Sequence, residues 1–122
     1  MLLTNQDIYN YAIALNTAFT DEEQKLPVKI NFYLQKNKNT LLTMAQEIEE
    51  SRMAIVKEYG NLDEESNQYI IPKENVEIAS KELEDLFALE QEVNIYKVNI
   101  DNLSDNLVFT TGQMEAIMFM FE

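Results

Sequence analysis

The sequence predicts a single mainly α domain (α+β), with a long helix or helical hairpin, shorter helices and a small two- or three-stranded β element. Only two glycines and two prolines occur among 122 residues, which is too few for a protein built from many short strands and turns. Apolar residues instead recur at steps of three and four through much of the chain. With 46% hydrophobic residues, the chain has enough apolar surface to form a core despite its net charge of −13.

The first predicted helix covers residues 5–19. Thr4 is followed three residues later by Asp7, and this spacing predicts a capping box, in which each side chain bonds the backbone N–H of the other residue. Apolar residues then recur at helical spacing, at Ile8, Ala12, Leu15 and Phe19.

The second predicted helix begins at Pro27 and ends at Gly60. Proline is tolerated in a first turn, where its missing N–H has no helical partner, and glycine is typical just beyond a helix end. At ~1.5 Å per residue this helix would be roughly 50 Å long, longer than a domain of this size is wide. Poor helix formers at residues 37–40 leave open a break into two helices.

The second helix carries a coiled-coil-like seam, in which apolar positions alternate at steps of four and three. Two basic residues interrupt this seam; such residues often fix the oligomeric state, although long stems also lie on a core with their charges in water. We expect the seam to meet another subunit of a homo-oligomer. The predicted interface comprises Leu34, Lys38, Leu41, Ile48, Arg52 and Ile55, with Met118 and Phe121 near the C-terminus.

The β element is predicted in the second half of the chain. Residues 61–68 are polar and acidic and predict a loop, and residues 69–71 predict a short edge strand before Pro72. Residues 93–100 alternate and are rich in β-branched side chains, so we expect a strand that pairs with residues 69–71. Residues 107–109 are a candidate third strand.

Two further helices complete the prediction. A helix after Pro72 has a buried stripe at Val76, Ala79, Leu83, Leu86 and Phe87. Thr110 and Gln113 predict a second capping box, which opens a final helix. The final helix is so apolar that we expect it to be either buried or part of a subunit contact.

The predicted binding site is a window without acids. No carboxylate occurs between Glu23 and Glu47, whereas four lysines do, and in so acidic a protein this stretch is the one that attracts an anion. Lysines would hold phosphates, Tyr33 would stack on a base or ribose, and amides would read polar edges. The predicted ligand-binding residues are Lys25, Lys29, Asn31, Tyr33, Lys36 and Asn37. The alternative is that these lysines pair with acids elsewhere and the aromatic residues belong to the core.

Composition excludes most catalytic chemistry. The chain has no cysteine and no histidine, so thiol nucleophiles, disulfides, thiolate zinc sites and the commonest general base are absent. We expect no enzymatic activity, no metal site, no cofactor and no membrane segment. The acid pairs Glu47 with Glu50 and Glu82 with Asp85 superficially resemble those of all-helical nucleoside triphosphate pyrophosphohydrolases, which leaves a magnesium-dependent nucleotide pyrophosphohydrolase as a remote alternative.

Four segments together resemble an uncharacterised family of small tailed-phage proteins from Gram-positive and gut hosts. They are KLPVKINFYLQKN at residues 25–37, EIEESRM at 47–53, ELEDL at 82–86 and TGQMEA at 111–116. The resemblance covers most of the chain in order and spacing, and it implies a phage origin and a setting in the host bacterial cytoplasm. The family carries no assigned activity.

These observations lead us to expect a non-enzymatic phage protein that counters a host defence by stoichiometric sequestration of a nucleotide signal. Blocking a host defence protein belongs to the same class, and it would use an acidic face that imitates the DNA phosphate ladder. The candidate residues for that face are Glu47, Glu49, Glu50 and Glu58. The alternative is a protein of virion head or tail assembly. Direct binding to duplex DNA is not expected at this net charge.

Overall fold

The structure is a computed structural model, and it describes residues 1–20, 24–99, 101, 103 and 107–122. Within these ranges the chain forms four α-helices and two small antiparallel sheets, so the predicted mainly α fold with a small β element is confirmed. The strands are β1 (Leu2–Thr4), β2 (Asn61–Asp63), β3 (Gln68–Ile70) and β4 (Glu90–Glu92). The helices are α1 (Asn5–Ala18), α2 (Val28–Tyr59), α3 (Lys73–Ala88) and α4 (Thr111–Ile117), and α4 continues into a 3₁₀ turn at Met118–Met120.

The predicted capping box at the start of α1 is confirmed. Thr4 Oγ1 accepts from the Asp7 N–H at 3.0 Å, and the Thr4 N–H donates to Asp7 Oδ2 at 3.3 Å. Ile8, Ala12 and Leu15 are buried, so the helical spacing of the sequence marks the core face of α1.

The long helix α2 is continuous through residues 37–40, which settles the break that the sequence left open. Asn37 is a poor helix former, but it is buried and hydrogen-bonded outside the helix, and this tertiary contact offsets its weak propensity. The helix ends at Gly60, whose N–H donates to Val56 O at 2.8 Å. A Cβ atom on Gly60 would lie only 2.6 Å from that same oxygen, so glycine fits there because of a close backbone approach.

The predicted oligomer seam lies largely within the protomer. Leu34, Leu41 and Ile48 are buried in the central core with residues of α1 and of the C-terminal region, which corrects their assignment to a subunit interface. Arg52 is half-buried and forms a bidentate ion pair with Glu49 at 2.6 and 2.9 Å. Of the other predicted interface residues, Lys38 and Ile55 are half-buried, Phe121 packs on the core and Met118 is exposed.

The predicted strand pairing is wrong. Residues 69–71 do not pair with 93–100, since β3 pairs with β2 in a local hairpin that falls on the predicted acidic loop. Asp63 builds the turn by accepting from the Glu65 N–H and from the Ser66 hydroxyl, and Asn67 closes it at a φ of 57°. An asparagine adopts this left-handed conformation at lower cost than most residues, and the sequence prediction overlooked this turn chemistry.

The second sheet joins β1 to β4, which the sequence prediction missed. Residues 93–99 are irregular apart from one parallel bridge between Val98 and Phe121, and Ile100 lies outside the described residues. Val93 and Val98 are each buried in the core. β-Branched residues thus occur here because the positions are buried, and not because the segment forms a strand. Residues 107–109 form no strand.

The last two helices differ in burial. Ala79 is buried on α3 and Leu83, Leu86 and Phe87 are half-buried, whereas Val76 is exposed and does not belong to the predicted stripe. In α4 the predicted capping box is confirmed, and Ala116 and Ile117 are buried, so this helix belongs to the core. None of the helices in the described ranges is both long enough and apolar enough to cross a bilayer.

Candidate functional site

Helix α2 distributes the predicted ligand-binding residues over three directions. At about 100° per residue, Lys29 and Lys36 lie close together around the helix, whereas Asn31 lies about 160° from Lys29. Asn37 is fully buried and points to the core. The six predicted residues therefore belong to two separate surfaces and one core contact.

The first surface is a basic–aromatic face made of Lys29, Phe32, Tyr33, Lys36 and Tyr96. The Lys29 ammonium lies 5.6 Å from the centroid of the Tyr33 ring, and the Lys36 ammonium lies 5.5 Å from that of Phe32. These distances are typical of cation–π contacts. The two lysines are seven residues apart, about 10 Å along the helix axis.

The three rings of this face contact one another. Tyr33 and Tyr96 have centroids 5.2 Å apart, and Phe32 meets Tyr96 edge to face at 6.4 Å. Phe32 is 52% exposed and Tyr96 is 37% exposed, whereas Tyr33 is half-buried between them. The surface open to a planar ligand is therefore Phe32 and Tyr96, and Tyr33 supports them.

Tyr96 is held against α2 by Asn37. Asn37 Nδ2 donates to Tyr96 O at 2.9 Å, and the Tyr96 N–H donates to Asn37 Oδ1 at 2.8 Å. Both halves of the amide are thus used by the backbone, which removes Asn37 from the ligand-reading residues and makes it a positioning residue. The predicted site missed Tyr96 because it lies 59 positions beyond Asn37, and no local pattern marks that contact.

The second surface is a cleft of about 490 Å³ between α2 and the segment that precedes it. Lys25 and Asn31, both predicted ligand-binding residues, line this cleft and not the basic–aromatic face. We call it the amide cleft, and its lining residues are Phe19, Thr20, Gln24, Lys25, Leu26, Asn31, Leu34 and Gln35.

Half of the 22 acids of the chain lie in one segment. Residues 49–88, which we call the acidic arm, follow the last buried residue of α2, Ile48, and carry 11 acids against four bases. Residues 24–46 carry four lysines and no acid. The long helix therefore joins a positive region at its start to a strongly negative region at its end.

The acids named as a possible phosphate-ladder mimic are only partly free. The hydrogen bond from Arg52, followed by its charge, lowers the pKa of Glu49 against the opposing effect of burial. The same contact raises the pKa of Arg52. Glu47, Glu50 and Glu58 are exposed. Three of the four acids are thus available to a partner, and the fourth is held in an intrahelical pair.

Among the residues that the structure describes, no three acidic side chains converge where they could hold a metal ion. The chain matches no protein-family model, and the comparisons with curated proteins and with solved structures give no match either.

Proposed function

We propose that this protein is a non-enzymatic binding protein that captures a nucleotide on its basic–aromatic face. The observation that carries the proposal is the placement of two lysine ammonium groups over the rings of Tyr33 and the exposed Phe32, within the only long stretch of α2 that has no acid. Single-stranded nucleic acids and nucleotides are bound in this way, with ammonium groups on phosphates and rings stacked on bases.

The mechanism is stoichiometric capture. Lys29 and Lys36 leave their positions over the rings and bind phosphate oxygens, which replaces a cation–π contact with a stronger charge-assisted hydrogen bond. A base then stacks on Phe32 or Tyr96, and Tyr33 buttresses both rings. The two lysines are about 10 Å apart along α2, so the face suits a ligand with two separated phosphates.

The biological setting of the proposal is the host bacterial cytoplasm. The resemblance to small tailed-phage proteins supports a phage origin, and a nucleotide-capturing phage protein counters a host defence by removing its nucleotide signal. Blocking a host defence protein remains in the same class, and the exposed acids Glu47, Glu50 and Glu58 are the surface for it.

Isothermal titration against linear and cyclic nucleotides tests the proposed capture. We expect a saturable complex whose log affinity falls with log salt concentration at a slope of about −1.4, as for two phosphates on a single strand. Phe32→Ala is expected to weaken binding by roughly tenfold, within the range for loss of one stacking contact. The double variant Lys29→Ala, Lys36→Ala is expected to abolish the salt dependence.

Lys57→Ala provides the matched control, because Lys57 is an exposed lysine of the same helix outside the basic–aromatic face. Its affinity is expected to equal that of the unchanged protein. No saturable binding across the panel, or equal losses in Lys57→Ala and Lys29→Ala, would contradict the proposal.

Virion assembly is a second candidate function, favoured by apolar side chains on the acidic arm. Leu62, Ile70, Val76 and Ile78 are each about half exposed, and apolar residues grouped on one part of a surface often mark protein contacts. A homo-oligomer formed through this arm, or through Ile55 and Met118, belongs to this proposal. Virion assembly would be supported if the protein co-purifies with head or tail proteins and Ile70→Glu abolishes this. A protein that is monomeric and absent from virions would contradict it.

A further inference from the structure

The amide cleft lies on the other side of α2 from the basic–aromatic face. We infer that it is a second binding site, which takes an uncharged planar heterocycle of nucleobase size. Its volume of about 490 Å³ falls in the range of small-molecule clefts. The inference does not depend on the proposed function, because the two surfaces share no residue.

Three primary amides supply the polar contacts of the cleft. Asn31 and Gln35 are one turn apart on α2 and therefore neighbours on its surface, and Gln24 comes from the segment before the helix. Each amide group has N–H donors and a carbonyl acceptor side by side. A heterocycle with adjacent donor and acceptor groups on its edge matches this set, because an amide pairs with such an edge through two hydrogen bonds.

Gln24 is held in place by a buried partner, Gln113. Gln24 Nε2 donates to Gln113 Oε1 at 3.1 Å, and Gln113 Nε2 donates to Gln24 Oε1 at 2.7 Å. Gln113 itself is only 5% exposed and also bonds to Ala18 O and to the Thr110 N–H. Within the described residues, one N–H and one lone pair of the Gln24 amide remain for a ligand, and the pair with Gln113 preorganises this group.

Apolar side chains provide the surface on which a planar ring lies. Phe19, Leu26 and Leu34 line the cleft, and Phe19 is fixed by an edge-to-face contact with Phe109 at 6.1 Å between centroids. Among the lining residues that the structure describes, Lys25 carries the one charge, and it is exposed. The heterocycle therefore comes either from a free nucleoside or from a nucleotide whose phosphate reaches Lys25.

The test uses the full chain carrying Lys29→Ala and Lys36→Ala, so that phosphate binding at the basic–aromatic face does not contribute. Chemical-shift titrations with the four common ribonucleosides and with their 5′-monophosphates then report on the cleft. We expect saturable shifts with at least one base, and at least a tenfold loss of affinity in Asn31→Leu and in Gln35→Leu. If the monophosphate binds more tightly than its nucleoside, and Lys25→Ala removes this difference, the ligand is a nucleotide. If the nucleoside and its monophosphate bind with equal affinity, the ligand is a nucleoside.

Asn39→Leu is the matched control, since Asn39 is an exposed asparagine of α2 outside the cleft. Its affinity is expected to stay unchanged. The inference is overturned if no nucleoside or monophosphate binds at millimolar concentration, or if Asn31→Leu and Asn39→Leu bind alike. Failure of the proposed capture is seen separately, as equal nucleotide affinities of the protein with intact lysines and of the variant that lacks Lys29 and Lys36.

Discussion

A single buried amide, Asn37, positions the basic–aromatic face. Its side chain forms two hydrogen bonds with the backbone of Tyr96. In Asn37→Leu, which has a similar volume, the Tyr96 N–H and C=O would lose these partners. Since each unsatisfied group costs about 1–3 kcal/mol, we expect the free energy of unfolding to fall by about 2–4 kcal/mol, measured by urea denaturation.

Asn39→Leu makes the same change two positions along α2 on an exposed surface. We expect its free energy of unfolding to stay within about 0.5 kcal/mol of the unchanged protein. Equal urea midpoints for the two variants would show that the contact with Tyr96 contributes nothing to stability.

Asn37 also shows how far the sequence predicted the site. Of the residues predicted in the acid-free window, Lys29, Tyr33 and Lys36 lie together on one surface, and ligand binding there stays a prediction. Which neighbouring residues join them depends on the rotation of α2 about its axis, and packing of the whole core sets that rotation. Of the two amides predicted to bind a ligand, Asn31 lines the cleft and Asn37 lies in the core.

At the scale of elements, α2 and α3 are linked through Tyr59. Its hydroxyl donates to Glu82 Oε1 at 2.8 Å, and this bond, together with burial and the charge of Glu58, raises the pKa of Tyr59 to about 12. The folded pKa lies above the ordinary 10.0, so the contact stabilises the fold fully below pH 10 and is lost as the pH rises through 12.

The variant Glu82→Ala removes both the hydrogen-bond acceptor and its charge, so we expect the ionisation of Tyr59 to move from about 12 towards the ordinary 10.0. The ultraviolet absorbance of tyrosinate measures this ionisation. Each protein, with or without Glu82, is titrated beside the same protein carrying Tyr59→Phe, and the difference between the two curves reports Tyr59 alone. An unchanged difference curve would show that Glu82 does not hold this hydroxyl.

Replacing the two glycines by alanine is expected to change the stability of the protein in opposite directions. A Cβ on Gly60 meets Val56 O at 2.6 Å, whereas one on Gly112 in α4 has its nearest neighbour, Thr110 Oγ1, at 4.0 Å. We expect Gly60→Ala to lower the free energy of unfolding by about 1–3 kcal/mol and Gly112→Ala to raise it by up to about 1 kcal/mol. Urea denaturation of both variants checks this, and a loss of stability in Gly112→Ala equal to that in Gly60→Ala would contradict it.

The helices were predictable because their signals are local. The capping residues Thr4 and Thr110 lie within one turn of the backbone groups that they satisfy. The strands were not predictable, because β1 pairs with a strand far away in the sequence, with Leu2 opposite Glu92, and three-residue strands carry little pattern. The alternating segment 93–99 looked like a strand although only two of its side chains, Val93 and Val98, enter the core.

At the scale of the whole molecule, the long helix α2 connects a lysine-rich segment to an acidic one. Four lysines and no acid lie in residues 24–46, and 11 acids with four bases lie in residues 49–88. Like charges in the acidic arm repel one another, and salt screens this repulsion over a distance of about 10 Å at 0.1 M ionic strength. We therefore expect the melting temperature, measured by scanning calorimetry, to rise with added sodium chloride. A fall would show that repulsion among the acids does not determine the effect of salt on stability.

Charge reversal within the arm separates local repulsion from total charge. Glu58 is exposed in the last turn of α2, where both its acidic neighbours and the helix dipole disfavour a negative charge. We expect Glu58→Lys to raise the free energy of unfolding by about 0.5–1 kcal/mol at low salt and to reduce its salt dependence. Glu115→Lys in α4 changes the net charge equally but lies outside the arm, so its gain should be smaller. Equal gains in urea denaturation would mean that total charge, and not its concentration in the arm, determines the stability of this fold.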